Sequence, residues 1–190
     1  MKIVLATRND DKFQIVRRML AGIDPDIRVY SLVDAGVPGD VVEVGTIQER
    51  AIQKARYFHL QLQNLENPRA YDGVMAVDDG LAVDNGPATP NSKEITDRIL
   101  SGEWSKGTSI DVVRAFALIL NDEQVRSAVT RIPFRFLGNP DAVRRDVGKY
   151  PLSRVLAQEG SAVPVGDTPH DKQDEFNLQH SADALKLLFV

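Results

Sequence analysis

The chain has 190 residues, a formal charge of −4 and an apolar content of 43%. That length and composition suit a single domain spanning residues 1–190, with room for two lobes and a full core. The acidic balance argues against a nucleic-acid backbone as the main partner, though a nucleotide needs only a local basic pocket. The absence of cysteine excludes disulfides and thiolate zinc sites and suits a reducing cytoplasm. The first apolar run is too short for a signal peptide or a membrane span and has no basic stretch before it, so a cytoplasmic chain is expected, with no membrane partner.

In chain order, residues 2–6 form a short apolar run that ends abruptly in polar residues, the pattern of a buried strand. Phe13, Val16, Arg17, Met19 and Leu20 follow at helical spacing, and Gly22 lies where such a helix would stop. Residues 27–32 read as a second strand, so the chain opens strand–helix–strand, the signature of an α/β protein. Thr46-Ile47-Gln48-Glu49 is a capping-box pattern. It begins a helix to about residue 61, with Ile47, Ala51, Ile52, Ala55, Phe58 and Leu62 at helical spacing. Residues 73–77 and 81–83 read as two short strands around the pair Asp78-Asp79. Residues 91–100 and 109–120 read as helices, the second with Ile110, Val113, Phe116, Ala117 and Leu120 on one face. Residues 125–137 read as a strand, with Pro133 marking a bulge or an edge position. Residues 139–169, rich in Gly and Pro, give no clear period. Residues 171–178 suggest a short helical turn, and 182–189 a closing helix.

The chemistry-bearing residues cluster at the ends of these elements. Thr7-Arg8-Asn9-Asp10-Asp11-Lys12 sits between the first strand and helix. Free N–H groups at a helix N-terminus favour an anion, and Thr7, Asn9 and Lys12 add a hydroxyl, an amide and a cation. The same residues also read as a plain helix cap beside a solvated lysine. Glu43, Asp78 and Asp79 are carboxylates at strand ends, where Mg²⁺ can be held together with substrate phosphate. An Asp-Asp-Gly sequence is also an ordinary turn. Glu49 is accounted for by the capping box. Lys54 lies off the apolar face of its helix and is expected to meet solvent.

These motifs resemble, in order, those of the inosine triphosphate pyrophosphatase family. The first is Thr7-x-Asn9-x-x-Lys12 after the N-terminal strand. The second is Glu43-x-Gly45-Thr46-Ile47-x-Glu49-x-Ala51-Ile52-x-Lys54-Ala55, one residue shorter before the helix than the family's pattern. The third is Val77-Asp78-Asp79-Gly80-Leu81-Ala82-Val83-Asp84. Asp78 there takes the metal-linked acidic position without a gap, and forms the acidic pair with Asp79 if one residue is deleted. The last, Gln179-His180-Ser181-Ala182-Asp183, is similar to the family's closing Ser-His-Arg segment, with Ser181 where the family has arginine and Glu175 where it has lysine. The family's purine-holding loop survives only faintly, in Val147-Gly148-Lys149-Tyr150-Pro151.

The resemblance implies a twisted mixed β-sheet flanked by helices, of the Maf and inosine triphosphate pyrophosphatase kind. It also implies two lobes around a central cleft, a homodimer, and Mg²⁺-dependent hydrolysis of non-standard purine nucleoside triphosphates to monophosphate and pyrophosphate. Glu43 and Asp78, with Asp79 in one alignment, would hold the metal and the attacking water. Thr7, Asn9, Lys12 and Lys54 would bind the triphosphate. Lys149, Tyr150 and His180 would contact the base; each has an ordinary alternative, as a solvated lysine, a packed tyrosine and a helix-capping histidine. The missing arginine leaves Arg114, Arg131, Arg135, Arg144, Arg145 and Arg154 as replacements, Arg154 being nearest the altered loop in sequence. It also leaves two rival functions: a nucleotide-binding module without turnover, and an enzyme for a different nucleotide or phosphate ester.

Overall fold

The computed structural model describes residues 1–66, 70–143 and 152–190. Six strands, β1 (Lys2–Ala6), β2 (Arg28–Ser31), β3 (Gly73–Val83), β4 (Ser109–Leu120), β5 (Val125–Phe136) and β6 (Leu156–Gln158), form one sheet in the order β2-β1-β3-β4-β5-β6. The helices are α1 (Asp10–Ile23), α2 (Ile47–Gln63), α3 (Ser92–Leu100) and α4 (His170–Lys186), with short 3-10 turns at Pro140–Ala142, Val165–Asp167 and Leu187–Phe189. The sheet is mixed. β1 runs parallel to both β2 and β3, and β5 runs antiparallel to β6. The expected mixed sheet with flanking helices is the fold observed.

Several expectations are corrected. Residues 109–120 are the strand β4, not a helix. Val112, Val113, Ala115, Phe116, Ala117, Leu118 and Ile119 are all buried, so both faces of β4 are covered. A strand buried on both faces shows no alternation, and its continuous apolar run imitates a helical stripe. Residues 73–83 are one continuous strand through Asp78 and Asp79, not two short strands, because the residues on either side of the pair are equally buried. The two C-terminal helical pieces are a single helix, α4. Pro133 lies inside β5 and not on an edge strand. The residues β6 pairs with are 134–136, so the missing N–H of Pro133 falls just where that pairing ends.

The chain divides into two compact units, and the division falls within β3, β4, β5 and α4. The first unit comprises residues 1–78, 114–130 and 178–190. Its core brings Ile3 and Leu5 of β1, Met75 and Val77 of β3, and Phe116 and Leu118 of β4 against Val16, Met19 and Leu20 of α1 and Leu185 of α4. Gly22 does not stop α1. A Cβ there would meet Leu178 Cδ2 at 2.9 Å, so its role is the close approach of α1 to α4. Side chains alternate along a strand, so Val4, Ala6, Val74 and Ala76 face the opposite side of the sheet, where α2 contacts β1. Alanines at 6, 76, 51 and 55, all fully buried, leave room for that helix.

The second unit comprises residues 79–113 and 131–177. Leu81, Ile110, Val112, Ile132, Phe134, Phe136 and Leu156 meet Ile95 and Ile99 of α3, the inward residues that the helical spacing singles out. Phe176 stands edge-on to Phe134, with ring centroids 5.6 Å apart.

Gly73 begins β3 where the carbonyl oxygen of Ile119 would collide with any Cβ. That partner is backbone and cannot rotate away. Gly73→Ala is therefore expected to lower unfolding stability by about 1–3 kcal/mol, read from the urea midpoint.

Candidate active site

The candidate site is built on the first unit, around the start of α2. Thr46 caps that helix. Its hydroxyl accepts from Glu49 N at 3.3 Å, and Glu49 Oε2 accepts from Thr46 N at 2.8 Å. The Glu49 carboxyl is accordingly held below its ordinary pKa, first by the backbone N–H of Thr46 and then by its hydroxyl. Gly45 precedes the cap with φ near +92°, and a Cβ there would stand 2.5 Å from Glu49 Oε2. One turn on, Gln53 clamps Val44 from both sides: Val44 N donates to Gln53 Oε1 at 3.1 Å, and Gln53 Nε2 donates to Val44 O at 2.9 Å. The irregular segment holding Glu43 is thus fastened to α2 by residues 49 and 53.

Residues 50 and 54 occupy the same helix one turn apart, and both meet Glu43 and Asp78. Arg50 Nε donates to Asp78 Oδ2 at 2.6 Å, and its Nη1 donates to the Glu43 carbonyl at 3.1 Å. Arg50 Nη2 stands 3.1 Å from Glu43 Oε2, but without hydrogen-bond alignment, so that buried oxygen has a charge contact and no hydrogen-bond donor. Lys54 Nζ lies 2.8 Å from Glu43 Oε1 and 3.6 Å from Asp78 Oδ1. All four side chains are largely buried, from 8% exposed at Asp78 to 23% at Arg50. The cluster is charge-balanced, two carboxylates against two cations, which is what lets it leave water. Lys54, expected in solvent, is one of its members.

Asp78 belongs to this cluster because of its register. Ala6 pairs with Ala76, and Asp78, two residues on, points to the same face, the one carrying α2. Alternation turns Asp79 to the other face of β3. The adjacent carboxylates therefore do not converge as a pair, and Asp78 alone joins Glu43.

The turn after β1 is ordered from within. Asn9 N donates to Thr7 Oγ1 at 3.2 Å, and Asn9 Oδ1 caps α1 by accepting from Lys12 N at 3.1 Å. Both sequence readings of this turn are compatible with that geometry: the cap engages the acceptor end of Asn9, and its Nδ2 end is a donor suited to an anion. Asp10 and Asp11 occupy the first helical turn, and Arg8 and Lys12 are the cations of this stretch. Arg8 Nη2 donates to Gly39 O and ties the turn to the segment that leads to Glu43. β1 and β3 run parallel and their pairing ends at Ala6 and Ala76, so Thr7 and Asp78 both lie just past the carboxyl end of β1, while β3 continues.

His180 lies inside α4, ten residues past its start, so it does not cap that helix; its carbonyl accepts from Thr130 Oγ1. Ser181, where the family's arginine is expected, is fully buried with its hydroxyl unpartnered. Glu175 pairs with Lys172 at 2.9 Å. Among the replacement arginines, Arg114 is buried, Arg131 pairs with Asp111 at 3.0 Å, Arg135 pairs with Glu159 at 2.9 Å, and Arg154 is exposed. Lys149, Tyr150, Arg144 and Arg145 lie outside the described residues.

Sequence reasoning missed Arg50. The available signal was its spacing: it precedes Lys54 by four residues, so the two cations share one edge of α2.

The donor set suits a hard divalent cation. Among the described residues no three His, Cys, Asp or Glu side chains gather into a cage. Two carboxylates, one of them with a buried oxygen (Glu43 Oε2) that has no hydrogen-bond donor, match the way Mg²⁺ is held, by one or two carboxylates together with substrate phosphate.

A profile of the Ham1 family matches residues 3–117. The chain belongs to the Ham1 family. This is the inosine triphosphate pyrophosphatase family that the motifs resemble. Two dITP/XTP pyrophosphatases, from Thermoanaerobacter sp. (strain X514) and Thermoanaerobacter pseudethanolicus (strain ATCC 33223 / 39E), are each 33% identical to it over 80 residues. That alignment covers 42% of this chain and 35% of theirs, so the chain spans about a third of the length of the curated relatives it matches. Two solved Ham1 structures share its fold. The Coxiella burnetii protein has a TM-score of 0.65 at 18% identity, covering 97% of this chain and 96% of that one. The Staphylococcus aureus protein has a TM-score of 0.64 at 18% identity, covering 99% and 96%. A nucleoside-triphosphatase / dITP/XTP pyrophosphatase from Mycobacterium abscessus superposes with a TM-score of 0.58 at 20% identity, over 98% and 99%. The Ham1 match includes the Thr7 turn, Glu43, α2 and Asp78, and stops before residues 144–151 and His180.

Thr46→Ala should cost about 1 kcal/mol in urea unfolding through the lost cap. Gly45→Ala should cost more, since it adds both backbone strain and the Glu49 collision. The Glu49 contribution is present above the carboxyl's unfolded pKa and is lost as pH falls through its lower folded value. Wild-type Tm should therefore drop at acid pH more steeply than that of Glu49→Gln.

Proposed function

We propose that this chain is a Mg²⁺-dependent nucleoside triphosphate pyrophosphatase acting on non-standard purine nucleotides. The observation that carries the reading is the convergence of Glu43 and Asp78 on the α2 cations, just past the end of β1 that also presents the Thr7 turn, in a chain of the Ham1 family. Water would attack the α-phosphorus, the bond from that phosphorus to the α–β bridging oxygen would break, and pyrophosphate would leave with that oxygen. The proton given up by water would pass to one of the two carboxylates and then to solvent. Lys12 and Lys54 would neutralise charge growing on the leaving pyrophosphate, and the Thr7 hydroxyl and Asn9 amide would orient it. Mg²⁺, held by Glu43 and Asp78, would supply further charge neutralisation and a more acidic water.

The base half motivates a second reading, a different nucleotide preference. Ser181 is buried and Glu175 is engaged with Lys172, so neither stands in for the arginine or lysine of the family pattern. A different nucleotide is the reading favoured if ITP and XTP are poor substrates. The same proposal takes the chain as one functional domain, cytoplasmic and homodimeric, with nucleotides and not nucleic acid as partners, in keeping with its charge of −4.

The test is pyrophosphate release from ITP, XTP, dITP, ATP, GTP, CTP and UTP with and without Mg²⁺. Preferred turnover of ITP and XTP, dependent on Mg²⁺, is expected; no release from any of them by folded protein would sink the proposal. Asp78→Asn should lower kcat on the order of a hundredfold or more while the circular dichroism spectrum is kept. Lys12→Ala should raise KM about ten- to a hundredfold, the worth of a charge-assisted contact to phosphate. Unchanged KM and kcat would remove Lys12 from the site.

A further inference from the structure

Each of the four carboxylate oxygens of Glu43 and Asp78 lies within ion-pair distance of a protein cation. Arg50 takes Glu43 Oε2 and Asp78 Oδ2, and Lys54 takes Glu43 Oε1 and Asp78 Oδ1. A divalent ion ligated by both residues therefore competes with Arg50 and Lys54 for the same four oxygens. The guanidinium is the more firmly seated competitor on Asp78, at 2.6 Å against 3.6 Å for Lys54, and it is anchored a second time at the Glu43 carbonyl. Its weak point is Glu43 Oε2, which it approaches without making a hydrogen bond. That is the oxygen an arriving ion would take at least cost.

We infer that Arg50 is a built-in counter-cation that competes with the divalent ion for Glu43 and Asp78 and sets the affinity of the pair. The inference rests on the reading of Glu43 and Asp78 as ion ligands. With Arg50 in place the cluster is charge-balanced, two carboxylates against two cations, and a bare ion gains little. Once displaced, the guanidinium is released among anions, where a triphosphate offers it new oxygens. Ion loading is then coupled to the arrival of phosphate. Arg50 is in this sense a positioning residue, acting through the carboxylates.

The experiment is titration of the full chain with Mn²⁺ alone, following the free ion by electron paramagnetic resonance, with no nucleotide present. Arg50→Gln should tighten Mn²⁺ binding about tenfold or more, the equivalent of one charge-assisted contact no longer opposing the ion. A merely structural arginine would give the opposite result, since its loss would loosen the pair and weaken binding. Unchanged or weaker Mn²⁺ binding by Arg50→Gln overturns the inference. Arg50→Lys keeps the charge but cannot reach both carboxylates and the Glu43 carbonyl together. It should also bind Mn²⁺ more tightly than wild type, and it decides the matter in the same way if the glutamine variant does not fold. Asp78→Asn separates the two levels. Lost Mn²⁺ binding there with no gain in the Arg50 variants overturns this inference alone. Wild-type Mn²⁺ binding by Asp78→Asn overturns the ion assignment and this inference together.

Discussion

The first unit is arranged around a four-charge cluster that no member could enter alone. A carboxylate or a guanidinium taken from water into a largely buried position is costly unless opposite charges meet it with good geometry. Here two carboxylates from different parts of the chain are met by two cations from a single helix. Everything nearby serves that meeting. The capping box fixes where α2 begins, Gly45 allows the backbone to enter it, and Gln53 clamps Val44 so that Glu43 projects toward residues 50 and 54. The alanine-lined face of the sheet lets α2 lie close enough for its cations to reach Asp78.

The parts legible in the sequence were those with a local cause. β1, β2, α2 and α3 follow from short apolar runs, a capping box and helical spacing, and the observed bounds agree with the expected ones within about two residues. Glu43, Lys54 and Asp78 were singled out through family motifs; the residues alone allowed bland explanations for each. What misled was burial on both sides. β4 is covered on each face, so Ile110, Val113, Phe116 and Ala117 displayed a helical spacing with no helix behind it. Asp-Asp-Gly suggested a break in β3 because such residues usually turn in solvent, whereas Asp78 is buried against cations that sequence order places far away.

Arg50 shows a different limit. Its importance comes from which residues stand opposite it, and those are decided by the register of β3 against β1 and by the path of the Glu43 segment. Neither is written in the local sequence of α2. The same holds for Ser181. In the sequence it is a substitution beside a histidine; in the fold it is a fully buried residue on α4, too short and too enclosed to do what an arginine would do from that position.

The uninterrupted course of β3 also bears on how this site can tolerate change. A strand that loses or gains one residue before Asp78 turns every later side chain to the opposite face. For most active-site strands such an indel would remove the functional group outright. In this chain the neighbour of Asp78 is another aspartate, so a single-residue deletion among residues 74–77 would carry Asp79 onto the face that α2 covers. The acidic position is thus buffered against the loss of one residue there, though not against the gain of one, which would bring Val77 to that face.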